Sequence, residues 1–436
     1  MKKEYNSYWK KLDNVGTFYS SSSTRFNPNI YRLSVKLKEQ IKKPILEKAL
    51  KDTLISVPFF KVKLKRGMFW YYLEGNNETS IVKEDHHFPF TTINNLDNNY
   101  FLFKVTYYEK RINVDFSHIL TDGTGALLFL ENLVTNYMKL KHPKKVKKDI
   151  IVGTELLSQN EVSVDSFLKY YRMKEKEPNK GKNQSQKLYA IRGEKINKKN
   201  AGVIIGTIST PDLKKVSKEH NITITGYLTA LLIYAIYQEN YRYTNSGEPI
   251  GVCIPVNLRN YFESYSMNNF FSTIMIKVDF NQKDYSLDEI FTFVSSEIKH
   301  QLCKDIFLKK FQSFVKLQQN IVLRFVPLVI KDALIRSVGS ITSNRGATAV
   351  LSNIGIVNVA SEVKDYIDKF DVITYNDDSA PFKVGVCSFE DKLSISFSSV
   401  INDTNIQKKF FSYLTAAGID VKISASAIDL NDRRKK

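Results

Sequence analysis

The 436-residue sequence predicts a mixed α/β protein built as two similar lobes, in which strands and helices alternate. Three features of the chain point there: short runs with strand alternation followed by runs with helical spacing, a hairpin-then-helix unit in each half, and a lysine-rich polar stretch between the halves. These divide the chain into a first lobe over 1–165, a basic crossing over 166–200 and a second lobe over 201–436. Tyr31-Arg-Leu-Ser-Val-Lys-Leu37 alternates like a strand, and Lys43–Leu54 carries Ile45, Leu46, Ala49, Leu50 and Leu54 at helical spacing. Phe69-Trp-Tyr-Tyr-Leu73 reads as a strand stopped by Glu74-Gly-Asn-Asn, and Phe101–Tyr108 pairs with Ile112–His118 across a Glu109-Lys-Arg turn. Ala126–Met138 then reads as a mostly buried helix. The texture changes at Lys139–Lys148 and Lys174–Asn183, where lysines crowd together as in an exposed crossing. Beyond it, Gly202–Ile208 reads as a strand, and Ser209 or Thr210 caps a helix that has Pro211 in its first turn. The apolar helix Thr225–Tyr237 follows. A second hairpin, Lys383–Phe389 with Lys392–Val400 around Glu390-Asp391, leads into a helix over Asn405–Ala417 that stops at Gly418.

Composition narrows the function classes. With 28 Phe, 24 Tyr and 2 Trp the chain has too much aromatic surface for a disordered polymer. The 64 Lys and Arg against 45 Asp and Glu leave +19, which favours phosphate-bearing small molecules, an acidic carrier protein, nucleic acid or an anionic membrane. Much of that charge lies in Lys139–Lys148, Lys174–Lys199 and Arg433–Lys436, which fit solvated runs as well as docking surfaces. No nucleic-acid-binding module supports the nucleic-acid reading, so none is expected as a partner. Cys253, Cys303 and Cys387 lack CxxC spacing, which argues against a zinc ribbon or a disulfide framework and fits a cytoplasmic protein. The start of the chain has no apolar signal core, and the runs Ile224–Tyr237 and Ile321–Ile330 are too short for a membrane span or interrupted by Arg324. A soluble protein without a transmembrane segment is expected. Neither a Gly-x-Ser-x-Gly elbow nor a phosphate-binding loop is present.

The most informative stretch is Ile112-Asn-Val-Asp-Phe-Ser-His-Ile-Leu-Thr-Asp-Gly-Thr-Gly125. Ile112, Val114, Phe116 and His118 share strand parity, so the imidazole leaves the strand end on the apolar face. Asp122-Gly123-Thr124-Gly125 then forces a turn into the next helix. An imidazole with an ordinary pKa of about 6.5 can take up and return a proton near neutrality, as activation of a neutral hydroxyl or amine requires. From the residues alone, a core histidine bonded to backbone beside an ordinary Asp-Gly turn is the reading the chemistry favours. A metal site does not fit, because His-x3-Asp across a strand end and a turn brings no third ligand. His86-His87 lacks a following Asp-Gly and reads as a loop pair.

Ser117-His118-Ile-Leu-Thr-Asp122-Gly123 resembles the His-His-x-x-x-Asp-Gly signature of the chloramphenicol acetyltransferase and condensation-domain superfamily, with Ser in the first His position. Several stretches resemble its alcohol acetyltransferase branch: Asp13-Asn-Val-Gly, Val57-Pro-Phe-Phe60, Phe69–Glu74, Cys253-Ile-Pro-Val-Asn-Leu-Arg259, Asn268-Asn-Phe-Phe271, Ser352-Asn-Ile-Gly355 and Ser396–Thr404. Together they span nearly the whole chain. The resemblance implies two chloramphenicol acetyltransferase-like lobes with a tunnel at their interface, reached by acyl donor from one mouth and acceptor from the other. It implies His118 as general base for attack of a small alcohol or amine on acyl-CoA, which is a co-substrate rather than a bound cofactor. It also implies that Asp122 and Gly123 shape the loop and that Asp122 pairs with Arg259. Asn268, Asn269, Ser352 and Asn353 fall near the tunnel, where an amide or hydroxyl can stabilise an oxyanion; the choice among them is open. Two alternatives stand beside this reading: an acyl group delivered by an acidic carrier protein, and a degenerate, non-catalytic binding protein of the same fold, which the Ser117 departure leaves open.

Overall fold

Ile30–Leu37 is a strand whose Tyr31, Leu33, Val35 and Leu37 alternate onto an apolar core while Arg32 and Ser34 on the other face are satisfied by Asp115 and Asn113, so that seven of its eight residues are buried. The computed structural model that contains it describes residues 9–23, 28–85, 93, 96–147, 158–171, 186–196, 202–244, 246–281, 283–320, 324–343, 346–376 and 380–425. His86, His87, Lys174–Asn183 and Arg433–Lys436 lie outside the described residues.

Ile30–Leu37 pairs antiparallel with Arg111–Ser117, which pairs in turn with Phe103–Tyr108, and Val82–Glu84 closes that edge. Its other neighbour is Ile367–Thr374, a strand from the far half of the chain, and this completes a five-stranded sheet. Helices Lys43–Ser56 and Gly123–Lys141 pack together over this sheet, joining Leu46, Ala49, Leu50, Phe129, Leu133 and Val134 in one core. A second sheet has seven strands in the order Phe271–Val278, Ile250–Asn257, Ala349–Ile356, Phe382–Phe389, Lys392–Ser399, Gly202–Ser209 and Lys422–Ala425. The apolar helix Ile224–Glu239 lies on it between Leu287–Gln301 and Asn405–Ala416, and these define the second core. A small sheet of Trp9–Lys11, Tyr71–Gly75 and Val62–Arg66 stands apart from both.

The two large sheets meet where Ile367–Thr374 packs against the hairpin Phe382–Ser399. Gly385 is required there, since a Cβ would collide with the carbonyl oxygen of Val372. Both hairpin-then-helix units are present, and Ser209, not Thr210, caps the helix Thr210–Glu219 by accepting from Asp212 N at 3.3 Å. The strand expected over Phe69–Leu73 begins at Tyr71, because Gly67 N donates to Trp70 O and turns the chain at Met68-Phe69. Among the described residues no helix is long and apolar enough to cross a membrane.

Candidate active site

The strand Arg111–Ser117 ends one residue before His118, whose N–H donates to Asn29 O at 2.9 Å. Ser117, which stands where the signature has its first histidine, is buried and acts locally, its hydroxyl accepting from Ile119 N at 3.2 Å and turning the chain. The His118 ring is half-buried between Tyr19, at 5.0 Å between ring centroids and nearly parallel, and Tyr31, at 4.4 Å. Phe271, from the second sheet, lies 6.1 Å away. Tyr31 donates to Thr121 O, and burial beside Asp122 pushes its phenol well above the ordinary value.

Asp122 ends the loop as the N-cap of Gly123–Lys141. One carboxylate oxygen accepts from Thr124 N and Gly125 N at 3.1 and 3.2 Å; the other accepts from Phe270 N at 2.8 Å and from Arg259 Nη1 at 2.7 Å. The ion pair is buried, with side-chain exposures of 10% for Arg259 and 6% for Asp122. Arg259 also donates to the carbonyls of Ser266 and Asn268 and to Asn257 Oδ1, so its fork ties this segment of the chain to the loop that holds Asp122.

His118, Asp122 and Gly123 line a cavity of about 280 Å³ at the seam, together with Asn257 and Phe271 from the second sheet. Ser352 and Asn353 line it too. Asn353 is held in place: its amide donates to Thr225 Oγ1 at 3.0 Å and accepts from Gly355 N at 2.9 Å, while Gly355 takes a φ of 83°. Asn268 and Asn269 are not part of this lining. Asn268 donates to Ser163 O and Val164 O and accepts from Lys10 Nζ at 3.1 Å. Asn269 donates to Asp13 and to the carbonyl of His118. Sequence reasoning did not assign site roles to Tyr19, Tyr31, Asp13 or Lys383, the last being a residue of the cavity wall; of these only Asp13 lay in a stretch that resembled the family. Among the described residues no group of three His, Cys, Asp or Glu side chains is placed to hold a metal ion.

Solved structures share this fold. Trichothecene 15-O-acetyltransferase TRI3 from Fusarium sporotrichioides superposes with a TM-score of 0.60 at 11% identity, covering 94% of this chain and 95% of that one. TRI101 from F. sporotrichioides, solved with coenzyme A and T-2, gives 0.60 at 10% identity over 96% and 100%. The first condensation domain of the calcium-dependent antibiotic synthetase gives 0.59 at 12% identity over 94% and 97%. At such identities the likeness speaks for the fold alone, the one these acetyltransferases and the condensation domain share with this chain. No curated protein sequence matches the chain. The family model for alcohol acetyltransferase matches residues 141–417, well over half the length, and the chain belongs to that family. The matched span contains Arg259, Ser352 and Asn353 and starts after His118 and Asp122.

Proposed function

We propose that this protein transfers an acyl group, acetyl in the first instance, from acyl-coenzyme A to the hydroxyl or amine of a small acceptor, with His118 as general base and no covalent enzyme intermediate. The observation that carries the reading is the His118 ring on the wall of a seam cavity built from both lobes. His118 takes the proton from the acceptor as its oxygen or nitrogen bonds to the thioester carbon. The carbon–sulfur bond of the tetrahedral intermediate then breaks, and the imidazolium returns the proton to the departing thiolate. Ser352, a residue of the cavity wall, is the donor we assign to the developing oxyanion; Asn353 is fixed by Thr225 and Gly355 and shapes the wall beside it. Asp122 and Arg259 act by holding the loop.

Membership of the alcohol acetyltransferase family, the coenzyme A bound to TRI101 and the net charge of +19 support a phosphate-bearing donor. The spacing of Cys253, Cys303 and Cys387, with no CxxC pair among them, supports a reducing compartment such as the cytoplasm. The test is release of free thiol from acetyl-CoA in the presence of mixed primary alcohols and amines. Activity is expected with the acceptors, and His118→Ala should lose about 100-fold or more of it while remaining folded. Full turnover in a folded His118→Ala protein would overturn the base assignment. Thiol release only from an acyl carrier protein would move the donor to a carrier-bound phosphopantetheine.

A further inference from the structure

The helix Asn14–Ser22 approaches the His118 loop at three separate points. Its Tyr19 ring stacks on the imidazole at 5.0 Å. Its Gly16 lies so close to the loop that a Cβ there would stand 2.8 Å from the carbonyl oxygen of Ile119. Its N-cap, Asp13, is the third point and is 3% exposed. One oxygen of Asp13 accepts from Gly16 N at 2.6 Å, and the other accepts from the backbone N and the Nδ2 of Asn269, both at 3.1 Å. Asn269, 1% exposed, donates from the same Nδ2 to the main-chain oxygen of His118 at 2.9 Å. A carboxylate on one side and a carbonyl on the other leave a single orientation for that amide.

We propose that Asn14–Ser22 is a positioning device for His118, acting on the ring through Tyr19 and on the main chain from Asp13 through Asn269. It rests on the reading of His118 as general base. The choice of an acid at residue 13 fits this role better than capping alone. Asparagine caps a helix as well as aspartate does, but its single acceptor oxygen cannot serve three donors arriving from two directions. Two carboxylate oxygens can. The acid is kept although burial pushes its pKa up to about 7, and although burial pushes the nearby Lys10 ammonium down to about 7. Helix, tether and histidine come from positions 13–22, 269 and 118, so the device is assembled only when both lobes are in place.

The test compares Asn269→Ala and Asp13→Asn with the parent protein, using acetyl-CoA and a primary alcohol. The expected result in each is a kcat lower by about tenfold or more, the scale for a displaced reacting group, with the KM for acetyl-CoA within about twofold. The His118 ring resonance, assigned with His118→Gln, should shift in Asn269→Ala while the other five of the six histidines stay in place. A folded Asn269→Ala protein with both kcat and the His118 resonance unchanged would overturn the proposal. Should these variants fail to fold, Tyr19→Leu leaves cap and tether intact, and an unchanged kcat there would overturn it equally. Full turnover in His118→Ala is the separate result that would defeat the underlying reading, and with it this role.

Discussion

Two strand-to-helix junctions in this molecule follow the same local plan and present different chemistry. Each comes after a hairpin, and in each a serine hydroxyl accepts the N–H two residues on: Ser117 from Ile119 at 3.2 Å, Ser399 from Ile401 at 2.9 Å. The next residue is His118 in the first and Val400 in the second. Val400 is 4% exposed and packs with Ile30, Ile373 and Tyr375, so it closes an apolar cluster instead of opening onto the cavity. The first junction caps its helix with Asp122, which also receives Arg259; the second has Thr404, whose side chain makes no capping bond. The frame repeats, and the chemistry does not. A hairpin feeding a helix supplies a well-placed position at a sheet end, and the side chain standing there, with what braces it, decides whether that position can act.

The largest expected effect breaks the brace. Arg259→Ala strands the buried Asp122 carboxylate and should lower stability by about 3–5 kcal/mol in denaturant unfolding, with acetyl transfer lost as the loop is freed. Thr404→Ala, the counterpart in the second unit, should stay within about 0.5 kcal/mol. Equal melting of Arg259→Ala and the parent would refute the inter-lobe ion pair. Next in size is the contrast between the two equivalent side chains. While His118→Ala removes turnover, Val400→Ala should leave kcat within about twofold and cost about 1.5 kcal/mol of stability through lost apolar burial. A large loss of turnover in Val400→Ala would show that the second junction shares in the reaction.

The third contrast is electrostatic. The helix of the first unit half-buries Glu131, and burial pushes its pKa up to about 8 despite a bond from the Asn358 N–H; the helix of the second unit buries the neutral Gln407 instead. The unfolded chain gives up this proton near pH 4.3, and the folded protein holds it until about 8. Stability should therefore fall as pH rises between those values and level off outside them. Glu131→Gln should melt with a smaller difference between pH 5 and pH 8 than the parent does. Some slope will remain, since Asp13 is raised in the same sense. An identical difference in both proteins would show that Glu131 stays ionised.

The sequence made both hairpin–helix units legible, because alternation and helical spacing are local properties. The Ser-His-x-x-x-Asp-Gly run could be placed at a strand end for the same reason, and the likeness to a known family singled out Arg259. The strand Ile367–Thr374 was not legible. Its Lys369 and Asp371 look like surface charges, yet they pair at 3.0 Å deep in the structure, where Arg111 also bonds Asp371 and Lys369 reaches Thr207. Charge reads as exposure until its partners are known. Asn269 illustrates the same limit at the site: nothing in Asn268-Asn269 distinguishes an amide facing the cavity from one locked onto Asp13, 256 positions earlier.

The strand Ile367–Thr374 also bears on how the protein is made. Ile30–Leu37 lies between it and Arg111–Ser117, so an amino-terminal piece ending near residue 200 would carry a mostly buried strand with one bare edge. Such edges recruit other chains. During synthesis that edge waits for most of the polypeptide to leave the ribosome, which makes the nascent chain a client for chaperones. Severing the gene between the lobes should yield aggregating fragments, whereas expressing both pieces in the same cell lets the missing strand arrive in trans.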